Sequence, residues 1–455
     1  MGSTPANIKA LSFPQGGIHP PDSKLSSERA VRPITLPASI VLPLGQHIGA
    51  PSKPLVKPGD KVKTGQLLAE AAGFVSANLH SSVSGTVSKI DGVIDVSGYK
   101  KPAIFIDVQG DDWLDSIDRT PGILADISIS SKDILQRITD AGLVGLGGAT
   151  FPTHVKLAVP PGKKPPQILL INGVECEPYL TSDHRLMLEH PQEIMIGIRL
   201  LMKATGVSRA ILGIETNKMD AIKLLTRYCD PKEGIQVQAL KMQYPQGGER
   251  QLVKALIGKE IPPPPRGLPI DVGAVVINVA TVFAVYEAVQ KRKPLIERIV
   301  TVTGKSLKDP GNFRTRFGVT FDHLAALAGG VPDDTGKVTA GGPMMGRAFV
   351  DLSAPVTKGT SGIVFYPKDQ SLRETLTNCI RCGKCVEVCP LGLEPYLVAA
   401  LAEQGNWTRA EEEKLTNCCE CSCCAYICPA NRPLVDFIKL GKSRILDIMK
   451  KRQKV

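Results

Sequence analysis

Ten of the chain's twelve cysteines lie between residues 379 and 428, and eight of them repeat one spacing: Cys379-x2-Cys382-x2-Cys385-x3-Cys389-Pro390 and Cys418-x2-Cys421-x2-Cys424-x3-Cys428-Pro429. Three thiolates at i, i+3 and i+6 wrap one face of an iron-sulfur cubane, while the fourth, followed by a helix-breaking proline, points toward a neighbouring cluster. The frame therefore assigns Cys379, Cys382, Cys385 and Cys428 to one [4Fe-4S] cluster and Cys418, Cys421, Cys424 and Cys389 to a second. The chemistry is one-electron transfer. A structural zinc site closes with four ligands, usually as two separated pairs, and fits a doubled three-plus-one frame poorly. Crowded cysteines with no secretory signal peptide argue against disulfides. Cys419 and Cys423 stand outside the frame and read as non-ligands, and the isolated Cys176 and Cys229 read as small buried apolar residues. Arg381 and Lys384, between ligands, read as solvated loop residues.

A second chemical feature is the densest glycine loop of the chain, Gly142-Leu-Val-Gly145-Leu-Gly147-Gly148-Ala-Thr-Phe151-Pro152-Thr153. Glycines let backbone N–H groups approach phosphate oxygens, and a helix starting behind them would add a favourable dipole. It is not the dinucleotide fingerprint, because Thr150 takes the place of the last glycine in G-x-G-x-x-G. On its own, the loop reads equally as a tight structural turn.

Elements that could position these groups follow from periodicity. Residues 1–33 are rich in Pro, Gly and Ser and predict an extended arm, with Phe13-Pro-Gln-Gly-Gly-Ile-His19-Pro-Pro-Asp22 its most distinctive stretch. Residues 34–110 carry short alternating strands. Val56-Lys-Pro-Gly-Asp60-Lys-Val62 and Val83-Ser-Gly85-Thr-Val87 resemble the barrel-sandwich halves of biotinyl and lipoyl domains, but Ala72-Gly-Phe-Val-Ser-Ala-Asn78, where such domains present a modifiable lysine, has none. A docking or structural role is expected there, with His80 a satisfied local residue.

Residues 111–295 alternate aliphatic runs with amphipathic stretches. Strands are predicted over 168–172, 210–214, 235–240 and 274–278, and helices over 191–204, 219–229, 249–257 and 281–290. That alternation implies a Rossmann-like parallel sheet covered on both faces, with ligands beyond the carboxyl ends of its strands. Three loops fall at such ends: Asn172 to Pro178, Tyr244 to Arg250 and Asn278 to Thr281. Residues 296–365 form a small β-grasp-like segment, 366–440 a helical two-cluster ferredoxin-like domain with a helix over 394–404, and 441–455 a basic tail. The fold class is thus multidomain α/β.

The formal net charge of +11 is not accompanied by a Lys/Arg block interleaved with aromatics, so a nucleic-acid groove is not indicated. Anionic cofactors, acidic partner subunits or an anionic membrane surface are the expected counterparts. No run of about 18 apolar residues is present to span a bilayer.

The convergent loops resemble the flavin and NADH site of the complex I flavoprotein subunit. The order of elements, from the His19-Pro-Pro-Asp22 arm through the half-barrel to the paired cysteine motifs, is similar to the C components of Rnf electron transport complexes. The resemblance implies FMN, with Gly145, Gly147, Gly148 and Lys156 at its phosphate and ribityl chain, and Asn172, Glu175, Tyr244, Gly247, Gly248 and Asn278 around the ring. It also implies that Phe151, Glu177 and Glu249 face the nicotinamide nucleotide. The sequence departs from the complex I pattern where Leu146 replaces a basic residue, Val174 an acid and Gly248 a glutamate.

NADH gives up a two-electron hydride whereas a cubane accepts one electron, and a flavin converts between the two. The implied activity is oxidation of NADH with delivery of electrons to two clusters and onward to membrane-embedded and iron-sulfur partner subunits. The implied place is the cytoplasmic face of the bacterial inner membrane, held peripherally. Two alternatives share parts of this chemistry: a cobalamin reductase of a metabolic microcompartment, and a non-enzymatic iron-sulfur relay.

Overall fold

The structure, a computed structural model, describes residues 9–263, 267–372 and 374–452. The first eight residues of the expected arm and residues 453–455 of the expected tail lie outside that range. The strands Ile168–Asn172, Ala210–Glu215, Ile235–Leu240 and Ala274–Asn278 form one all-parallel sheet, in the spatial order 235–240, 210–215, 168–172, 274–278. Their near-continuous aliphatic runs are what a sheet buried on both faces demands. One face is covered by the helices Ser131–Asp140, Pro191–Thr205 and Val279–Gln290. The other face receives Glu249–Ile257, which contributes Leu252, Val253 and Leu256 to a separate apolar cluster.

Local signals set the boundaries. Pro191 opens its helix and Gly206, at φ +71°, closes it. Asn278 ends a strand and caps the next helix, its Oδ1 accepting from the N–H groups of Ala280 and Thr281. Where the two long helices cross, a Cβ on Gly197 would stand 2.4 Å from the Val282 carbonyl oxygen, so only glycine permits the approach.

The half-barrel is built of two antiparallel sheets: Ser39–Pro43, Lys100–Val108, Gly85–Ile94 and Lys61–Val62 in one, and Lys53–Pro54, Leu67–Glu70 and Leu79–His80 in the other. His80 is buried with its Nδ1 lacking a hydrogen-bond partner, which corrects the expectation of a satisfied residue. The segment after residue 296 forms a mixed six-stranded sheet, ordered 31–33, 311–316, 297–304, 362–367, 335–340, 347–349. Its edge strand, Val31–Pro33, comes from the arm, which is therefore not wholly extended over the surface.

In the cysteine-rich part the two motifs share one backbone pattern. Arg381, Gly383 and Gly392 adopt positive φ after Cys379, and Glu420, Ser422 and Asn431 do so at the same intervals after Cys418. Each motif continues into a four-residue helix, Lys384–Glu387 or Cys423–Tyr426, and later into a longer one, Pro395–Glu403 or Leu434–Arg452. The tail expected to begin at residue 441 is the continuation of this last helix. Gly441 lies inside it because its missing side chain lets the helix pack on Ala402 and Leu415. Arg381 and Lys384 are exposed as expected, but Lys384 opens a helix rather than lying in a loop.

Candidate functional site

The carboxyl ends of the parallel strands carry the site. Asn172 and Asn278 are directly paired at the ends of neighbouring strands. The glycine loop folds over them: Gly145 N–H donates to the Phe151 carbonyl at 2.9 Å, and Leu146 N–H donates to Thr281 Oγ1 at 2.9 Å. Gly147, Gly148 and Ala149 are left exposed, and a Cβ on Gly147 would lie 3.3 Å from Asn278 Cβ. Across the mouth, Lys156 Nζ meets Glu249 Oε1 at 2.6 Å, and Asn172 Nδ2 donates to the Gly247 carbonyl at 2.9 Å. The structure thus brings together Gly145, Gly147, Lys156, Asn172, Gly247, Glu249 and Asn278, which are far apart in sequence.

Other expected site residues turn elsewhere. The Glu175 carboxylate accepts from the Asp183 N–H at 2.7 Å and the His184 N–H at 3.1 Å, capping the helix Ser182–Glu189 rather than facing the cleft. Glu175 itself has φ +47°. Glu177 accepts from the Met344 and Met345 N–H groups at 3.1 and 2.8 Å, on the turn of the following domain. Burial pushes its carboxyl up to about 7 despite those two donors. The Tyr244 hydroxyl is buried near Glu177 but short of hydrogen-bond geometry with it. The Phe151 carbonyl closes the glycine loop while its ring is half-buried. The helix behind that loop, Thr153–Leu157, has only five residues, so the expected dipole contribution falls away.

Sequence reasoning missed a buried polar layer beneath the cleft. Asp183 Oδ2 accepts from Asn278 Nδ2 at 2.7 Å, and burial, then the neighbouring Glu175 charge, pushes its carboxyl up to about 7. Lys24, from the arm, donates to the carbonyls of Glu175, Glu177 and Leu180 at 2.8, 2.9 and 2.6 Å, and burial lowers its ammonium to about 8. Lys218, 1% exposed, donates to the Val174 carbonyl at 2.8 Å beside buried Glu215. From the other side Arg298 and Lys358, both buried, donate to the Leu146 and Gly142 carbonyls at 3.0 and 2.8 Å. The available signal was Glu215, an acid closing the neighbouring strand two residues beyond Gly213, the partner of Asn172.

This geometry suits a flavin mononucleotide. Exposed glycines and one lysine are the donor types a phosphate needs, and the buried atoms Thr153 Oγ1, Tyr244 OH and Gln246 Nε2 nearby have no hydrogen-bond partner.

The thiols show a crossed arrangement. Cys418, Cys421 and Cys424 line one cavity with Cys389, which belongs to the other motif. The Cys385 thiol is raised by burial, with the Cys428 thiol of the other motif raising it further. Cys379 and Cys382 are exposed. Among the described residues no three His, Cys, Asp or Glu side chains close tightly enough for a single metal ion. Eight thiols in two matching frames, four of them around one cavity, are the donor type that [4Fe-4S] clusters take, so the donor set fits the expected group. Cys423 is fully buried, its Sγ 3.9 Å from the Tyr244 carbonyl oxygen, and Cys419 shares the cavity of the second motif.

The two sites abut. Besides the Cys423 contact, Ser422 Oγ donates to the Met344 carbonyl at 2.7 Å, and Gln251 Nε2 reaches the Pro390 carbonyl at 3.5 Å.

Family models match three stretches of the chain. Residues 138–287 match the Nuo51 FMN-binding domain, residues 12–111 the RnfC barrel sandwich hybrid domain and residues 299–348 the SLBB domain. The fold is similar to an NAD+-reducing [NiFe]-hydrogenase in its H2-reduced state, with a TM-score of 0.50 over 70% of this chain and 63% of that one at 20% identity. Fold and site together define an electron-transfer component of an oxidoreductase, built on an FMN-binding type of domain.

Curated relatives narrow the class. The chain is 42% identical to the C component of the Na(+)-translocating ferredoxin:NAD(+) oxidoreductase complex of Acetobacterium woodii over 97% of this chain and 98% of that protein. It is 41% identical to the proton-translocating counterpart of Clostridium ljungdahlii over 88% and 86%. It is 42% identical to the C component of the ion-translocating oxidoreductase complex of Rhodobacter capsulatus over 95% and 83%. The chain belongs to the RnfC family, the C components of Rnf ion-translocating oxidoreductase complexes.

Proposed function

We propose that the chain is the NADH-oxidising subunit of a membrane-bound, Rnf-type ion-translocating oxidoreductase, linking NADH through FMN to two [4Fe-4S] clusters and to partner subunits. The observation that carries this reading is the direct contact of the Tyr244–Gly248 loop and the helix behind it, one wall of the proposed flavin cleft, with the cysteine motifs at Cys423 and Pro390. FMN, when bound, supplies the conversion between a two-electron hydride and single electrons.

The chain's own residues have positioning roles. Gly145, Gly147 and Gly148 offer backbone N–H groups and Lys156 a cation to the phosphate. Asn172, Gly247, Gly248 and Asn278 would frame the ring and Phe151 and Glu249 would serve the nicotinamide nucleotide, while the roles of Glu177, held by the Met344 and Met345 N–H groups, and of Tyr244, buried beside it, become indirect. For Glu175 the role becomes indirect, through its cap on the helix that presents Asp183 to Asn278. Cys389, Cys418, Cys421 and Cys424 would hold the cluster nearest the cleft. Cys379, Cys382, Cys385 and Cys428 would hold the outer one, where exposed thiols suit delivery to a partner.

Two relatives bear ferredoxin:NAD(+) in their names, and the same arrangement serves either direction of flow. Among the described residues no helix is long and apolar enough to cross a membrane. We place the chain peripherally, on the cytoplasmic face where NADH is available, held by membrane-embedded subunits.

The test is anaerobic mixing of the purified protein with NADH. Bleaching of a flavin band followed by reduced-cluster signals supports the proposal. A brown protein with iron and sulfide but no affinity for flavin would reduce it to a relay.

A further inference from the structure

The arm motif is not used by the chemistry described so far, yet it touches both halves of the site. Leu11 N–H donates to the Ala239 carbonyl at 3.0 Å, and the Lys241 N–H returns a bond to the Leu11 carbonyl at 2.8 Å, so the arm runs along the edge of the parallel sheet. Farther on, Ile18 and Tyr244 exchange both backbone bonds, at 2.8 and 2.9 Å, and Ile18 is buried with Tyr244, Cys421 and Cys423. Between those two anchors the chain turns through Gly16 and Gly17, at φ +70° and +88°. There the Gly17 N–H donates to the Val388 carbonyl at 2.9 Å. A Cβ on Gly16 would lie 2.6 Å from the carbonyl carbon of Cys389 and 2.7 Å from its oxygen. Gln243 Nε2 holds the Gly16 carbonyl at 2.8 Å.

Resting on the function proposed above, we infer that Gly16 to Ile18 position the Cys389 ligand against the Tyr244 wall, and so set the separation between the flavin cleft and the inner cluster. One short stretch of arm is bonded to both sides, and its glycine lets the backbone lie flat on the ligand-bearing turn. Any side chain at residue 16 meets backbone rather than a flexible side-chain end, so the turn must move. The displacement falls on a ligand of the inner cluster alone, because Cys389 faces the cavity of the second motif.

The experiment uses the full chain, purified and reconstituted anaerobically with iron and sulfide. Gly16→Ala is expected to keep FMN and lose about half of the iron, with one of two cluster signals missing or displaced in electron paramagnetic resonance. Gln243→Ala releases the same turn without backbone strain. It is expected to keep both clusters and the rate of flavin reduction by NADH, while electrons reach the cluster more slowly, by up to about 100-fold for an ångström-scale misplacement. Gly98→Ala is the control, with φ +76° but nothing within 4 Å of the added Cβ. It should change neither cluster signal.

Two intact signals and unaltered cluster reduction in both arm variants would overturn the inference. So would loss of flavin and both clusters alike in Gly16→Ala with Gln243→Ala unaffected. Wild-type protein that took up no flavin would instead sink the functional reading itself.

Discussion

Lys156 and Glu249 meet at 2.6 Å across the mouth of the cleft, joining the short helix behind the glycine loop to the start of the helix Glu249–Ile257. The pair is about a third exposed on each side, so as an ion pair it contributes little to folding, on the order of 0–1 kcal/mol. Its proposed value is to hold a cation at the mouth of the cleft for the phosphate. Lys156→Met should therefore leave the melting temperature nearly unchanged, yet weaken FMN binding by about tenfold or more, as expected for loss of a charge-assisted contact. Flavin fluorescence titration beside a thermal melt checks both.

The crossed thiols give a test that spacing alone does not. Cys389→Ser, although it alters the first motif, should abolish the cluster held by Cys418, Cys421 and Cys424 and leave the other. Cys382→Ala should do the reverse and keep flavin reduction by NADH. Iron content and low-temperature electron paramagnetic resonance distinguish them, and loss of the same signal in both variants would contradict the arrangement.

Asp183 links the pocket to pH. Its carboxyl, pushed up to about 7 by burial, binds a proton in the folded protein that the unfolded chain gives up near pH 4. Stability from this group is therefore full below about pH 4 and is lost as pH rises through about 7. Asp183→Asn keeps an acceptor for Asn278 without the titration. The difference in melting temperature, variant minus wild type, should become more positive from pH 5 to pH 8. A difference constant across that range would show that Asp183 stays charged.

Gly197 tests the packing that supports the sheet. Gly197→Ala drives a methyl group onto the Val282 carbonyl and should cost about 1–3 kcal/mol. A thermal melt should show the loss with FMN and iron contents preserved in the protein that remains folded.

The sheet was legible because each strand is an aliphatic run between turns. Ile168–Asn172, Ile235–Leu240 and Ala274–Asn278 appear with the expected boundaries, as does the helix Glu249–Ile257. Ser182–Glu189 was not visible as a helix, since its N-terminus is capped by Glu175 across a loop rather than by Thr181 beside it. Val31–Pro33 is a strand only by virtue of a partner some 280 residues away. At the site, glycines and amides could be read from the loops that carry them. Lys24, Arg298 and Lys358 could not, because each reaches the cleft from another domain and acts on backbone carbonyls.

With the proposed exchange of Cys389 and Cys428 between motifs, neither half is self-sufficient. A fragment ending before Cys418 would bring three thiols to one centre and leave Cys389 with nothing to bind. Metal loading in this part of the protein should accordingly be cooperative: the inner centre is completed only when the chain has doubled back, and that return also delivers the last sulfur of the outer one.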